Sequence, residues 1–181
     1  EKLLEYIKKF GFGEKTGIDL QEEISSGFRP KWGDIDYATM SFGQGIAVTP
    51  IQMISAVNTI ANKGFYISPT ILEDEKSEPV KVLNPPAVME ITEIMKKAVE
   101  SGEAKWAKPK GLSVAGKTGT AQIPIEGQYD AEKTIASFVG FFPADNPRYT
   151  MLVSLREPKT SIWGSETAAP LWFQVAKHLL L

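Results

Sequence analysis

The chain has 181 residues, no cysteine, one histidine and a formal net charge of −2. A chain of this length suits one domain that buries about 70% of its unfolded surface. The charge balance argues against nucleic acid or a basic membrane face, and the Cys/His count leaves neither a disulfide framework nor a transition-metal site.

Leu3, Leu4, Ile7 and Phe10 fall at helical spacing and predict an amphipathic helix over residues 1–10, stopped by Gly11 and Gly13. Residues 15–32 read as loop. Residues 34–45 are short and glycine-punctuated, with Phe42-Gly43-Gln44-Gly45 as a tight turn against a helix start. Thr49 as N-cap and Pro50 at the first helical position begin a helix. Its apolar stripe is Ile51, Ile54, Val57, Ile60 and Ala61, and Gly64 ends it. Residues 66–73 read as a short strand, and residues 74–78 as a solvated loop tip. Asn84-Pro85-Pro86 opens another helix, closed by Gly102, with Val88, Ile91, Met95, Ala98 and Val99 on its buried side. Met89 and Met95 read as gap-fillers.

Leu112, Val114 and Ala115 lead into Gly116-Lys-Thr-Gly-Thr-Ala-Gln122, and Ile123-Pro124 ends that strand. Residues 126–132 read as a polar turn, residues 134–143 as an apolar strand, and Asp145-Asn146-Pro147 as a hairpin turn. Residues 148–156 form the partner strand, with Tyr149, Met151, Val153 and Leu155 alternating. After a loop at 158–164, residues 166–180 form a last helix with Leu171, Trp172, Val175 and Leu179 facing the sheet. Helices on either side of a three-strand antiparallel meander predict an α+β layer fold. The longest apolar run, around residues 138–142, falls far short of the ~20 residues that span a bilayer.

Two chemistries compete for residues 111–122. Gly111-Leu-Ser-Val-Ala-Gly116-Lys117-Thr118 fits G-x-x-x-x-G-K-[ST], a phosphate loop. That loop needs a buried strand before it and a helix after it. Residues 105–110 are too polar for the strand, and Gly119 and Pro124 forbid the helix. The alternative is acyl transfer along a sheet edge. Lys117 points to one face and Thr118 and Thr120 to the other. Gly119 lets a substrate backbone approach, and the Thr120 N–H can donate to an oxyanion. Lys117 can hold a carboxylate or help activate a hydroxyl.

Other polar groups carry less. His178 reads as a surface histidine near a helix C-terminus. Glu22-Glu23 and Glu73-Asp74-Glu75 read as solvated loop faces, and Trp106, Trp163 and Trp172 as packing residues.

Lys117-Thr-Gly-Thr-Ala-Gln122 resembles the third signature of the penicillin-binding proteins, the serine D,D-transpeptidases of peptidoglycan synthesis. Phe10-Gly-Phe-Gly-Glu-Lys-Thr-Gly-Ile-Asp-Leu20, Ser41-Phe-Gly-Gln-Gly-Ile-Ala-Val-Thr-Pro-Ile-Gln-Met53, Ala144-Asp-Asn-Pro-Arg-Tyr149 and Ala168-Ala-Pro170 resemble the class B members. The second of these is similar to the septal, cell-division type. The resemblance implies a β-lactamase/transpeptidase-like fold, with residues 1–181 as the C-terminal portion of the transpeptidase domain and no cofactor or metal. It implies that Lys117 contacts the serine of a Ser-x-Asn motif and the substrate carboxylate. Thr118 and Thr120 would bind that carboxylate, with Gly119 beneath the substrate backbone. The Thr120 N–H would form half of the oxyanion hole, and Gln122 would line the acceptor side.

The partners implied are peptidoglycan stem peptides, β-lactam antibiotics, division proteins and the upstream part of the same domain, with no nucleic acid. The place implied is the extracytoplasmic face of the bacterial inner membrane, held by an N-terminal helix outside this sequence. No serine here is followed three positions on by lysine or two positions on by asparagine. Both remaining signatures of the family are therefore expected upstream of Glu1. This segment by itself is expected to be inactive and to expose a sheet edge and the helix faces that cover the nucleophile. A penicillin sensor and a serine β-lactamase are the alternatives on the same scaffold.

Overall fold

The computed structural model describes residues 2–25, 27–28, 31–75, 77–125 and 128–180. The chain divides into two compact units, Glu1–Asn84 and Pro85–Leu181.

Among the described residues, the first unit carries three helices and one minimal ribbon. Helix α1, Lys2–Lys9, forms where the spacing predicts it, with an Lys9–Glu5 ion pair of 2.6 Å on its surface. Helix α2, Asp34–Met40, lies in the stretch read only as short and glycine-punctuated. Seven residues are too few to show a period. The start signal is polar: Asp34 and Asp36 occupy the first turn, and Asp36 Oδ2 accepts from the Gly33 N–H at 2.9 Å. Gly43 and Gly45 then turn the chain with φ of 86° and 75°.

Helix α3, Pro50–Ala61, begins at Thr49 as expected. Thr49 Oγ1 accepts from the Gln52 N–H, and Gln52 Oε1 accepts from the Thr49 N–H at 2.9 Å, a reciprocal cap. Gln52 is 1% exposed, and its Nε2 also donates to the Glu14 carbonyl at 2.6 Å. The strand expected over residues 66–73 shrinks to β1, Phe65–Tyr66, paired with β2, Val80–Lys81. Pro69 removes a ladder donor from that run, and the Ser68 N–H donates to Ser77 Oγ instead.

Glu23, read as solvated, is half-buried. Its carboxylate accepts from the Thr16 N–H at 2.6 Å, the Thr16 hydroxyl at 2.7 Å and the Gly17 N–H at 3.1 Å. Desolvation pulls its pKa up, but these donors outweigh it and hold the carboxyl below the ordinary value.

The second unit is helix, meander, helix. Helix α4, Pro85–Ser101, runs into a 3₁₀ turn, Glu103–Ala107. Met95 and Val99 are buried as expected, whereas Met89 is exposed and fills no gap. Strands β3, Ala115–Ile125, β4, Gln128–Phe142, and β5, Tyr149–Arg156, pair antiparallel in the order β3-β4-β5. Residues 126–127 of the expected polar turn lie outside the described residues, and 128–132 belong to β4. The β3–β4 register shifts between Gln122 and Pro124, so β3 continues past the proline expected to end it.

Helix α5, Ala168–Leu179, closes the unit. Its buried stripe is Ala168, Ala169, Trp172, Phe173 and Ala176. Of the face expected for it, Trp172 is buried, while Leu171, Val175 and Leu179 are exposed. Ala168, Trp172 and Ala176 recur at intervals of four, and the alanines let the helix approach the sheet closely. Trp172 packs on Phe138 and Phe142 at ring-centroid distances of 5.0 and 5.1 Å, and its Nε1 donates to the Met151 carbonyl. Trp106 and Trp163, read as packing residues, are exposed.

Candidate active site

Residues 116–122 lie inside β3, and the register fixes their faces. Lys117 pairs with Val139, Gly119 with Ser137 and Ala121 with Ile135. Thr118 pairs with Phe138, Thr120 with Ala136 and Gln122 with Thr134, so these three share the side of the sheet that carries Phe138. Gly116 to Thr118 form ladder pairs, and no helix begins there, so the phosphate-loop geometry is absent.

β3 has β4 on one side and, among the described residues, no strand on the other. Lys117 and Gln122 are exposed; Thr118, Gly119 and Thr120 are half-buried. Lys117 Nζ lies back along its own strand and donates to the Thr118 carbonyl at 3.0 Å. Among the described residues it forms no ion pair. The rim thus offers a cation, two hydroxyls and a side-chain-free backbone within four consecutive residues.

Two supports were not legible as functional signals. The first stands at the root of β3. Lys96 Nζ of α4 bonds Glu93 Oε1 and Asp145 Oδ1, both at 2.9 Å, and Ser113 Oγ donates to Asp145 Oδ2 at 3.0 Å. The Ala144 N–H donates to the Ser113 carbonyl at 3.1 Å. The Lys96 and Ser113 hydrogen bonds hold the Asp145 carboxyl below its usual range, and the Asp145 bond, then the Glu93 bond, raises Lys96. Asp145 reads in sequence as a turn residue; nothing in the pattern joins it to Lys96.

The second support is the connection from β5 to α5. Thr134, fully buried in β4, donates its hydroxyl to the Ile162 carbonyl at 2.7 Å. Two residues on, the Gly164 N–H donates to Thr120 Oγ1 at 3.1 Å. A Cβ on Gly164 would stand 2.5 Å from the Gly119 carbonyl oxygen and 2.6 Å from that of Ser137. Ser137 Oγ in turn donates to the Gly119 carbonyl, with a long contact of 3.4 Å.

A cleft of about 460 Å³ is lined by Glu132, Lys133 and residues 157–162, and none of the rim residues lines it. Among the described residues no three His, Asp or Glu side chains cluster to hold a metal, and no helix is long and apolar enough to cross a membrane. His178 is exposed on α5, its Nδ1 2.8 Å from the Gln174 carbonyl.

A family model described as the penicillin binding protein transpeptidase domain matches residues 1–180. Stage V sporulation protein D of Bacillus subtilis is 38% identical over 94% of this chain and 29% of its own length. The peptidoglycan D,D-transpeptidase FtsI of Escherichia coli K12 is 32% identical over 94% of this chain and 30% of its own. The crystal structure of penicillin binding protein 3 from Mycobacterium tuberculosis superposes with a TM-score of 0.91 at 27% identity. It covers 99% of this chain and 46% of that one. The same protein has been solved in complex with aztreonam and with ampicillin. This chain spans about a third of the length of these curated relatives.

Proposed function

The chain belongs to the transpeptidase-domain family of the penicillin-binding proteins, and from that membership we propose that it supplies the substrate-binding strand of a peptidoglycan D,D-transpeptidase. The observation that carries the reading is the outer edge of β3, which pairs with no second strand among the described residues and on which Lys117, Thr118, Gly119 and Thr120 stand together. A D-Ala-D-Ala stem peptide, or a β-lactam in its place, lies along that edge as an added strand. A serine from sequence outside these 181 residues attacks the peptide carbonyl. D-Ala leaves, and an amine of a neighbouring stem peptide then takes the acyl group.

Each rim residue has a part in this. Lys117 is the charge for the terminal carboxylate and contacts the serine of the Ser-x-Asn motif. The hydroxyls of Thr118 and Thr120 donate to that carboxylate, and Gly119 leaves room for the substrate backbone. Backbone groups in an antiparallel ladder alternate between partner and open side. The Thr118 carbonyl is within reach of Lys117 Nζ, which supports an outward direction for it and for the like-directed Thr120 N–H, the donor for the oxyanion. Gln122, exposed beyond the rim, lines the acceptor side. Residues 1–181 are then the C-terminal portion of the domain, acting at the outer face of the bacterial inner membrane with division proteins as partners.

The test is fluorescent-penicillin labelling of the intact protein. Lys117→Ala is expected to slow acylation by a factor on the order of a hundred or more while the protein stays folded. Labelling at the parental rate removes Lys117 from the site.

A further inference from the structure

The proposed reading gives Thr120 a hydroxyl that donates to a carboxylate, yet a threonine hydroxyl rotates freely and is also an acceptor. Left alone on a half-buried edge, it would spend its proton on whichever carbonyl lay nearest. Its surroundings prevent that. The Gly164 N–H donates to Thr120 Oγ1 at 3.1 Å and occupies the acceptor side. Among the described residues nothing takes the hydroxyl's own proton. The bond thereby fixes the direction of the lone pair and turns the O–H away from the β5–α5 connection.

Gly164 is held in place from two directions. Its residue type is dictated by space, since a Cβ would meet the carbonyl oxygens of Gly119 and Ser137 at 2.5 and 2.6 Å. Both are backbone atoms, and any side chain lifts the segment off the ladder. Its approach is dictated by the buried Thr134, whose hydroxyl holds the Ile162 carbonyl at 2.7 Å. Two threonines on neighbouring strands thus grip one short segment, one through a carbonyl and one through an N–H.

We propose that Gly164 is a positioning residue for the acyl-transfer site: its backbone N–H presets the Thr120 hydroxyl as a donor, and the segment Ile162–Gly164, latched by Thr134, sets the affinity of the site for ligand carboxylates. The inference rests on the function proposed above. It adds a residue from a connection that carries no motif, and it makes carboxylate recognition depend on a hydrogen bond the ligand never touches.

The experiment measures acylation kinetics of the intact protein with a penicillin and with the methyl ester of the same penicillin. Gly164→Ala and Thr134→Val are each made alone and with Thr120→Val. For the free acid, each single variant is expected to lose on the order of tenfold to a hundredfold in second-order acylation rate, the worth of a charge-assisted hydrogen bond. The loss appears in the concentration dependence and not in the saturating rate. For the methyl ester the loss is expected to fall to about twofold or less, because the charged acceptor is gone. Adding Thr120→Val to either variant is expected to cost little more.

Equal losses for acid and ester, or fully additive losses with Thr120→Val, overturn the proposal, since a general distortion of β3 would act that way. If Gly164→Ala fails to fold, the buried and nearly isosteric Thr134→Val carries the test. A slow Lys117→Ala with an unaffected Gly164→Ala sinks this inference and leaves the function standing; a parental Lys117→Ala sinks the function first.

Discussion

The two units of this chain are held together by different means. In Glu1–Asn84 the tightest ties are polar: Glu23 gathers three donors from Thr16 and Gly17, and Gln52 bonds its own helix cap and the Glu14 carbonyl. In Pro85–Leu181 the tie is an aromatic stack of Phe138, Phe142, Trp172 and Phe173 between sheet and helix. Apolar burial has no direction and tolerates sliding, whereas each hydrogen bond fixes one distance. The second unit combines the two. Its aromatic layer buries the largest side chains, and hydrogen bonds at Asp145, which accepts from Lys96 and Ser113, and from Thr134 and Gly164 tie the sheet to the segments around it.

The largest break in this comparison is Trp172→Ala. Removing a fully buried indole with a satisfied N–H is expected to cost about 3–5 kcal/mol, read as a shift in denaturant midpoint. A midpoint within experimental error of the parent would show that the stack is not the source of stability. Next comes Gln52→Leu in the first unit. It strips partners from the Thr49 N–H and the Glu14 carbonyl at a cost of about 1–3 kcal/mol. Here the polar tie, not the volume, is what is lost.

Thr49→Ala sharpens the same point at about 1 kcal/mol, measured in the same way. The smallest effect separates the units by pH. Glu23 titrates below its ordinary value of 4.5 in the folded chain. Its contribution is complete above that pH and disappears as pH falls through the lowered folded value. The stability gap between parent and Glu23→Gln, followed by urea unfolding, is expected to be constant above pH 5 or so and to close in acid. A gap that persists at acid pH would show that the Glu23 ties do not depend on charge.

Periodic signals gave the second unit away. The meander, its Asp145-Asn146-Pro147 turn, α4 and α5 could be placed from period-2 and period-3.6 patterns and from proline and glycine. The candidate rim was legible as a strand segment because Lys117, Thr118 and Gly119 are contiguous in β3 and alternate by rule. What the sequence hid was contact between residues far apart in the chain. Lys96 meets Asp145 across 49 positions and Gly164 meets Thr120 across 44. Neither pair leaves a local trace. The buried face of α5 was misplaced for a related reason: large aliphatic side chains marked the stripe in sequence, while alanine marked it in space.

A glycine opposite a glycine closes the root of the rim. Gly116 and Gly140 are ladder partners. A Cβ on Gly116 would come within 2.6 Å of the Phe138 ring, and one on Gly140 within 2.5 Å of the Ala115 carbonyl oxygen. The two backbones and the ring fill that volume completely, so a single added methyl would act as a wedge one residue before Lys117. The reach of the cation at the tip is therefore governed by atoms that are missing at the base, and a strand of this kind can vary along its outer margin far more freely than at its foundation.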